Sequence, residues 1–379
     1  MDIIDKKKLS ILLKKIKIKN FSNKNNEEIN LEIIKKIKDL SKKEKNKKRK
    51  EQLDLLEKKY DLNILRKDQL DKLPNWIKKQ LKDCKVIGNS KKVILTKNSQ
   101  KYHLDNKLND LAGNQWSYFL RSVINTRYST SGEDGYAHHI RKIHPSPKPP
   151  QLMRDIIKFF TKENDQILDY FMGVGGTLLG ASLSKRNALG IDLSSKYIKA
   201  YKKASRELKL KEQKTIKGDC LKILREKKLI EEYLKRKKFS LIAIDPPYGD
   251  MMNREKTGEA IKKNQSTQST PFTKDKKDLG NIDWFSFKNK FIETIELSIP
   301  YLKDRGHYVV FIKDLQPKDG NINLLHSEII EEMNKIKNLN YIGMKIWADE
   351  SINLYPYGYP HSFVSNQLHQ YIMIFRKKL

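Results

Sequence analysis

Through the middle of the chain, short apolar runs alternate with stretches in which apolar residues recur every three to four positions. Residues 166–171, 187–192, 214–218 and 239–244 form the runs and predict strands. Residues 177–184, 196–208 and 221–235 carry the longer period and predict the helices between them. Strands and helices alternating at this spacing make βαβ units and a parallel sheet, because each connection has to cross one face of the sheet. Farther along, 285–302 and 326–335 predict helices, and 306–313, 341–347 and 369–376 predict strands. No segment repeats at a fixed period.

Upstream the pattern is helical and the polar positions are mostly lysine. Ile3, Ile4, Leu9, Leu12, Leu13 and Ile16 share a helical spacing, as do Ile29, Leu31, Ile33, Ile34, Ile37 and Leu40, so helices with basic outer faces are expected. Helical spacing continues over 53–60 and 68–81, interrupted by Pro74, and 85–95 reads as a hairpin turning at Gly88-Asn89. Residues 1–110 are therefore expected to form a basic, mainly helical accessory region, and 111–379 a separate domain. Residues 108–126 extend the helical pattern around Trp116, Phe119 and Leu120, and 128–136 read as a loop. The prolines of 145–150 exclude a helix interior but allow a helix to start behind them, at 152–160. The polar stretch 249–282 is a long insertion, a size that is usually functional, and is expected to be mobile without substrate.

Composition sharpens this picture. The 379 residues include 78 Lys or Arg against 46 Asp or Glu, a formal charge of +32, far beyond what solubility needs. An excess of that size points to a polyanionic partner. The first fifty residues hold 18 of the cations and 7 of the acids, about a third of the excess. Two cysteines, Cys84 and Cys220, are too few for a disulfide framework or a Cys-rich zinc site. No apolar run approaches the ~20 residues that span a bilayer, and a soluble, cytoplasmic protein is the expectation.

Two constellations carry chemistry. In the first, Asp169, Phe171, Gly173, Gly175 and Gly176 stand where a strand ends and a helix begins. Glycines there let a backbone approach a ligand, although the third glycine of a dinucleotide fingerprint is missing. Asp192 closes the next strand, where a carboxylate can take both hydroxyls of a ribose, and Asp219 follows the third. Each acid alone would serve as a helix cap; three at successive strand ends are harder to explain that way. The second constellation is Asp245-Pro246-Pro247-Tyr248, after the fourth strand. Consecutive prolines stiffen the backbone and remove two N–H donors, leaving carbonyl acceptors beside a carboxylate and an aromatic ring. Such a cluster suits a planar group bearing an NH₂, with Asp245 and the Pro246 carbonyl accepting its hydrogens and Tyr248 stacking on the ring.

Together these residues resemble the S-adenosylmethionine-dependent amino-methyltransferases that modify DNA, in which a Lys-Pro segment, an Asp-x-Phe-x-Gly-x-Gly loop and an Asp-Pro-Pro-Tyr tetrad occur together. Here they are Lys148-Pro149 with His144-Pro145, Asp169 to Gly175, and Asp245 to Tyr248. The resemblance covers about 114–379. It implies an α/β, Rossmann-like methyltransferase domain with a mostly parallel sheet flanked by helices, behind the basic N-terminal region. It also implies that Phe171, Gly173 and Gly175, with Asp169, line the methionine part of the cofactor, that Lys148 and Pro149 bind the cofactor, that Asp192 holds the ribose, and that Asp219 lies near the adenine. Asp245, Pro246, Pro247 and Tyr248 become the catalytic group and no metal is called for. Residues 354–360 with Phe363, Asn366 and His369 resemble the family's C-terminal region, part of the target pocket.

The implied reaction is direct methyl transfer to an exocyclic amine of a base flipped out of double-stranded DNA. A ring-carbon methyltransferase needs a Pro-Cys nucleophile, but Asp83 precedes Cys84 and Asp219 precedes Cys220. Aspartate at the head of the tetrad favours adenine N6 over cytosine N4. A tRNA guanine-N2 methyltransferase carries the same tetrad, so RNA is the alternative substrate. From another class comes a nucleic-acid-binding subunit with an inactive methyltransferase fold, which would be expected to have lost Asp245 or the glycines. The sequence leaves open the recognition site, the oligomeric state and a cognate restriction endonuclease as partner. Binding to a mixed-sequence DNA duplex is expected to weaken steeply with added salt, measured by titration at several ionic strengths; a shallow slope would count against phosphate-dominated binding.

Overall fold

The computed structural model describes residues 26–43, 45–63, 65, 67–88, 90–250, 272–314, 324–356 and 358–378. The helix expected around Ile3 to Ile16 lies outside them. Contacts divide the chain into two compact units, Met1–Tyr118 and Phe119–Leu379. Among the described residues no helix is long and apolar enough to cross a membrane.

In the first unit, helices Asn26–Lys43 and Lys47–Asn63 precede a three-stranded antiparallel sheet of Lys85–Ile87, Val93–Leu95 and Lys101–His103. The first two strands are the expected hairpin, with Lys85 opposite Leu95; the third strand was not foreseen. A small core of Leu65, Leu73, Ile77, Cys84, Val86, Ile94 and Tyr102 holds this sheet. Pro74 ends the helical run, so 68–81 becomes two short helices, Lys67–Asp71 and Asn75–Lys78.

The second unit is an eight-stranded sheet. In chain order its main elements are β1 (Val123–Thr126), α1 (Pro150–Phe160), β2 (Gln166–Asp169), α2 (Gly176–Leu183), β3 (Asn187–Asp192), α3 (Ser195–Glu207), β4 (Lys214–Lys217) and α4 (Cys220–Glu226). They continue with α5 (Lys228–Leu234), β5 (Phe239–Ile244), α6 (Trp284–Ser298), β6 (Leu302–Ile312), α7 (Leu325–Asn334), β7 (Leu339–Asp349) and β8 (His369–Lys377). Strands lie in the order β1-β7-β8-β6-β5-β2-β3-β4. All neighbours pair in parallel except β8, which is antiparallel to both β7 and β6. The sheet starts at β2 and grows first through β3 and β4, then on the other side through β5 and β6. The carboxyl ends of β2 and β5 therefore flank a topological switch point, where an open α/β sheet leaves a crevice. This is the predicted Rossmann-like fold.

Two sequence expectations change. Residues 108–126 are not one helix: Gly113–Phe119 is helical, and β1 then pairs with the edge of β7, Val123 facing Ile346. Strand pairing with a distant segment overrides the helical spacing there. Residues 221–235 are two helices, because Lys227 takes a positive φ of 58° between them.

Burial explains the remainder. β5 is buried at every position, as a central parallel strand should be, which is why it reads as an apolar run broken only by Ser240. Pro150 occupies the first turn of α1, and Leu152, Met153, Ile156, Ile157, Phe159 and Phe160 are buried along it. Beneath the switch point, the Tyr170 hydroxyl meets that of Tyr308, with Thr294 Oγ1 at 3.1 Å and Ser298 Oγ 3.0 Å from Tyr308. Arg186, after α2, is buried and donates to Thr161 Oγ1 (3.1 Å), Thr161 O (2.8 Å) and Ser184 O, tying the ends of α1 and α2 together. Arg186→Met strands these buried acceptors and is expected to lower unfolding stability by at least about 2 kcal/mol in denaturant titration.

Candidate active site

The site assembles at the carboxyl edge of the sheet. Asp169 ends β2 and is 97% buried, its Oδ1 accepting the Phe171 N–H at 3.0 Å. The loop then turns into α2 at Gly175, whose φ of +75° suits glycine. A side chain at Gly175 would also run into the Tyr201 ring, 2.2 Å from its Cβ. At the next residue, a Cβ on Gly176 would lie 2.6 Å from the carbonyl oxygen of Lys148, so glycine lets the loop close on segment 144–149.

Asp192, at the end of β3, reaches across to this loop. Its Oδ2 accepts the Gly173 N–H at 2.8 Å and its Oδ1 the Ser194 N–H at 2.7 Å. Burial nevertheless pushes both Asp169 and Asp192 up to about 7. Asp219 caps α4, accepting the Leu221 N–H at 2.9 Å, and also lines the cavity. It is thus both cap and cavity wall.

Asp245 follows β5, on the other side of the switch point. Its Oδ2 is 2.9 Å from the Lys148 ammonium, and the Tyr248 hydroxyl also bonds to it. Burial raises Asp245 above the usual carboxylate range, and Lys148 pulls it back down. Lys148 Nζ also donates to Gln370 on β8 and lies 4.7 Å from the Phe311 ring centre and 5.5 Å from that of Trp347. The Lys148 carbonyl is held in turn by Arg141 Nη1 at 2.8 Å. Burial and the Asp245 charge drive the Tyr248 hydroxyl well above its ordinary range, and its ring is 95% buried. Tyr248, which the sequence suggested as a stacking ring, lines the cavity.

One cavity of about 530 Å³ joins these groups, within the range that holds a small ligand. Phe171, Gly173, Asp192 and Asp219 border it from one side of the switch point; Asp245, Pro246, Pro247 and Tyr248 border it from the other, with Lys148 and Pro149. Asp169 lies in a small adjoining recess that shares Phe171, Lys148 and Asp245. Of the sequence-predicted site residues, Gly175 lines neither.

The sequence reading named His144 only as part of the Lys-Pro segment and missed several other wall residues. His144 packs on Phe272 (5.1 Å between ring centres) and on Tyr197 (4.8 Å), and burial pushes its imidazole down to about 4. Asp278, buried at the end of the insertion, accepts from Thr273 Oγ1 (2.7 Å) and the Gly280 N–H (2.8 Å). No local pattern marks it in the sequence. Residues 251–271 of the insertion, on which the expectation of mobility falls, lie outside the described residues. In the C-terminal segment, Ser351, Ile352 and Leu368 line the cavity, whereas Leu354, Asn366 and His369 do not; Phe363 is 92% exposed. Asn366 instead pins its own loop, exchanging bonds of 2.9 and 2.8 Å with the Tyr355 backbone.

The family described as DNA methylase matches residues 5–203, and that described as conserved hypothetical protein 95 matches residues 153–278. The chain is 45% identical over 60 residues to the type II methyltransferase M2.LlaDCHI of Lactococcus lactis subsp. cremoris, which is 16% of this chain and 22% of that protein. It is 28% identical over 151 residues to a tRNA (guanine(10)-N2)-dimethyltransferase of Methanocaldococcus jannaschii, 38% of this chain and 41% of that one. The chain thus spans about a fifth to two fifths of the length of these curated relatives. Among solved structures, NSun6 from Pyrococcus horikoshii aligns with 61% of this chain and 52% of its own at 15% identity and a TM-score of 0.38.

The raised Asp192 gives a stability test. Its folded pKa of about 7 exceeds the ordinary carboxylate value, so the folded state holds a proton that the unfolded chain gives up. Stability from this group is present at low pH and lost as pH rises through about 7. In thermal unfolding, Asp192→Asn is expected to gain on the wild type between pH 5 and pH 8.

Proposed function

Because the chain belongs to the DNA methylase family, we propose that it transfers a methyl group from S-adenosylmethionine to the N6 amino group of adenine in DNA. One observation carries the reading: Asp245 and Pro246 open onto the same cavity as the Phe171–Gly173 loop and Asp192, across the switch point of one sheet. The donor set fits the cofactor. Asp192 is a desolvated carboxylate that two ribose hydroxyls would satisfy, Asp219 stands one strand farther along, and Asp169 supplies negative charge beside the loop. When bound, S-adenosylmethionine supplies an electrophilic methyl on a cationic sulfur.

The chain's own residues do the rest. An exocyclic amine is a poor nucleophile because its lone pair is delocalised into the ring. Asp245 and the Pro246 carbonyl accept its two N–H bonds, which localises the lone pair and aims it out of the ring plane. Pro246 and Pro247 have no N–H to compete for those acceptors. Tyr248 fixes Asp245 through its hydroxyl and borders the cavity beside the base. A duplex places the amine inside the stack, so the base is flipped into the cavity. The basic helical unit contributes phosphate contacts, and so does the exposed Lys277, which lines the cavity.

Transfer to cytosine N4 would use the same geometry. The second reading, transfer to tRNA, is favoured by the 151-residue match to a tRNA (guanine(10)-N2)-dimethyltransferase. The deciding test is methyl transfer from labelled S-adenosylmethionine to mixed-sequence duplex DNA and to bulk tRNA, with the methylated nucleoside identified. N6-methyladenine in DNA is expected, with Asp245→Ala lowering kcat/KM by about 100-fold or more. N4-methylcytosine would change the base and keep the mechanism, and label confined to tRNA would move the protein to the second reading.

A further inference from the structure

The tetrad carboxylate has a difficulty that the mechanism above leaves unsolved. Asp245 must accept a hydrogen bond from an amine, so it has to be ionised, yet it sits in a site built to remove water. Its surroundings are acidic and aromatic. Its own charge raises Asp169 at the end of β2, Phe311 of β6 and Trp347 of β7 flank it through Lys148, and the Tyr248 hydroxyl hangs on it from the same loop. The other nearby cation, Lys313 after β6, is itself pushed down, by burial first and then by the charge of Lys148. A carboxyl in such a setting takes up a proton, and a protonated carboxyl donates where the reaction needs an acceptor.

We propose that Lys148 is the residue that keeps Asp245 a hydrogen-bond acceptor, its buried ammonium pairing with Oδ2 while the carboxylate keeps further lone pairs for the target amine. The geometry is specific. The ammonium is 2.9 Å from Oδ2, and the two side chains are 8% and 22% exposed. Gln370 takes a second ammonium proton, and the faces of Phe311 and Trp347 stabilise the charge. At the other end of the residue, the main chain is clamped between Arg141 and Gly176, so the stem cannot swing away without moving the glycine loop. An ionised carboxylate has about four acceptor positions, so Lys148 and Tyr248 together do not exhaust it. Lys148 is thus a positioning residue that acts through Asp245. The sequence resemblance had assigned it to the cofactor.

The inference rests on the methyl-transfer reading for its consequence, whereas the charge on Asp245 is readable without any substrate. Protein labelled with ¹³C at the aspartate carboxyl is compared by infrared difference spectroscopy across pH for wild type, Lys148→Met, Lys148→Arg and Lys148→Met with Asp245→Asn. A carboxylic-acid band additional to those of Asp169 and Asp192, which titrate in the same region in every variant, is expected near neutral pH in Lys148→Met and is absent from the arginine variant and from the double variant. In the transfer assay, the acidic limb of kcat/KM moves up by about one pH unit or more in Lys148→Met, stays in place in Lys148→Arg, and affinity for the cofactor analogue sinefungin changes less than about threefold. Absence of the acid band, a loss of activity equal at every pH, or a matching loss of sinefungin affinity would overturn the proposal. An acid band in a protein that methylates neither DNA nor tRNA would leave the role of Lys148 standing and remove the functional reading instead.

Discussion

Between Gly176 and the carbonyl of Lys148 there is room for a hydrogen atom and nothing larger, and the rest of the site hangs on that approach. It brings the start of α2 against the segment that leads into α1. Lys148 then has its carbonyl on Arg141, its stem against the glycine loop and its ammonium on Asp245. One residue thereby couples the loop after β2 to the tetrad after β5, two elements 70 positions apart that the sheet already sets side by side. The coupling is steric at one end and electrostatic at the other.

Charge is distributed to match. The chain carries a formal +32, yet its main cavity is walled by Asp192, Asp219, Asp245 and Asp278. Burial raises Asp192 and Asp245, as it does Asp169 alongside, although each already accepts at least one hydrogen bond, so the carboxylates are desolvated but keep acceptor positions to spare. Hydroxyls, an amine and a cationic sulfur are the groups that would satisfy them under the proposed reaction, while the exposed lysines suit a phosphate backbone. Exposed lysines on the surface and carboxylates in the cavity thus suit two different kinds of ligand.

The apolar runs of 187–192 and 239–244 became strands at those very bounds, since a parallel strand covered on both faces has to be apolar throughout. The stretch 108–126 failed the same reading. Its helical spacing is real over Gly113–Phe119, but Val123–Thr126 joined β7, a partner more than two hundred residues away that no local pattern announces. Lys227 broke a helix through a backbone angle that carries no sequence mark.

Residue types and their spacing by themselves determined the α/β class, the glycine turn and the tetrad, because those depend on periodicity and on what Gly, Pro and Asp do to a backbone within a few residues. Only the tertiary structure decided that Gly175 packs under Tyr201 away from the cavity, that Tyr248 is mostly buried, and that the Lys148 ammonium pairs with Asp245. Each of those facts is a contact between segments distant in the chain, and its sign depends on how much water the packing removes. Burial and long-range pairing are properties of the folded whole, so no window of sequence contains them.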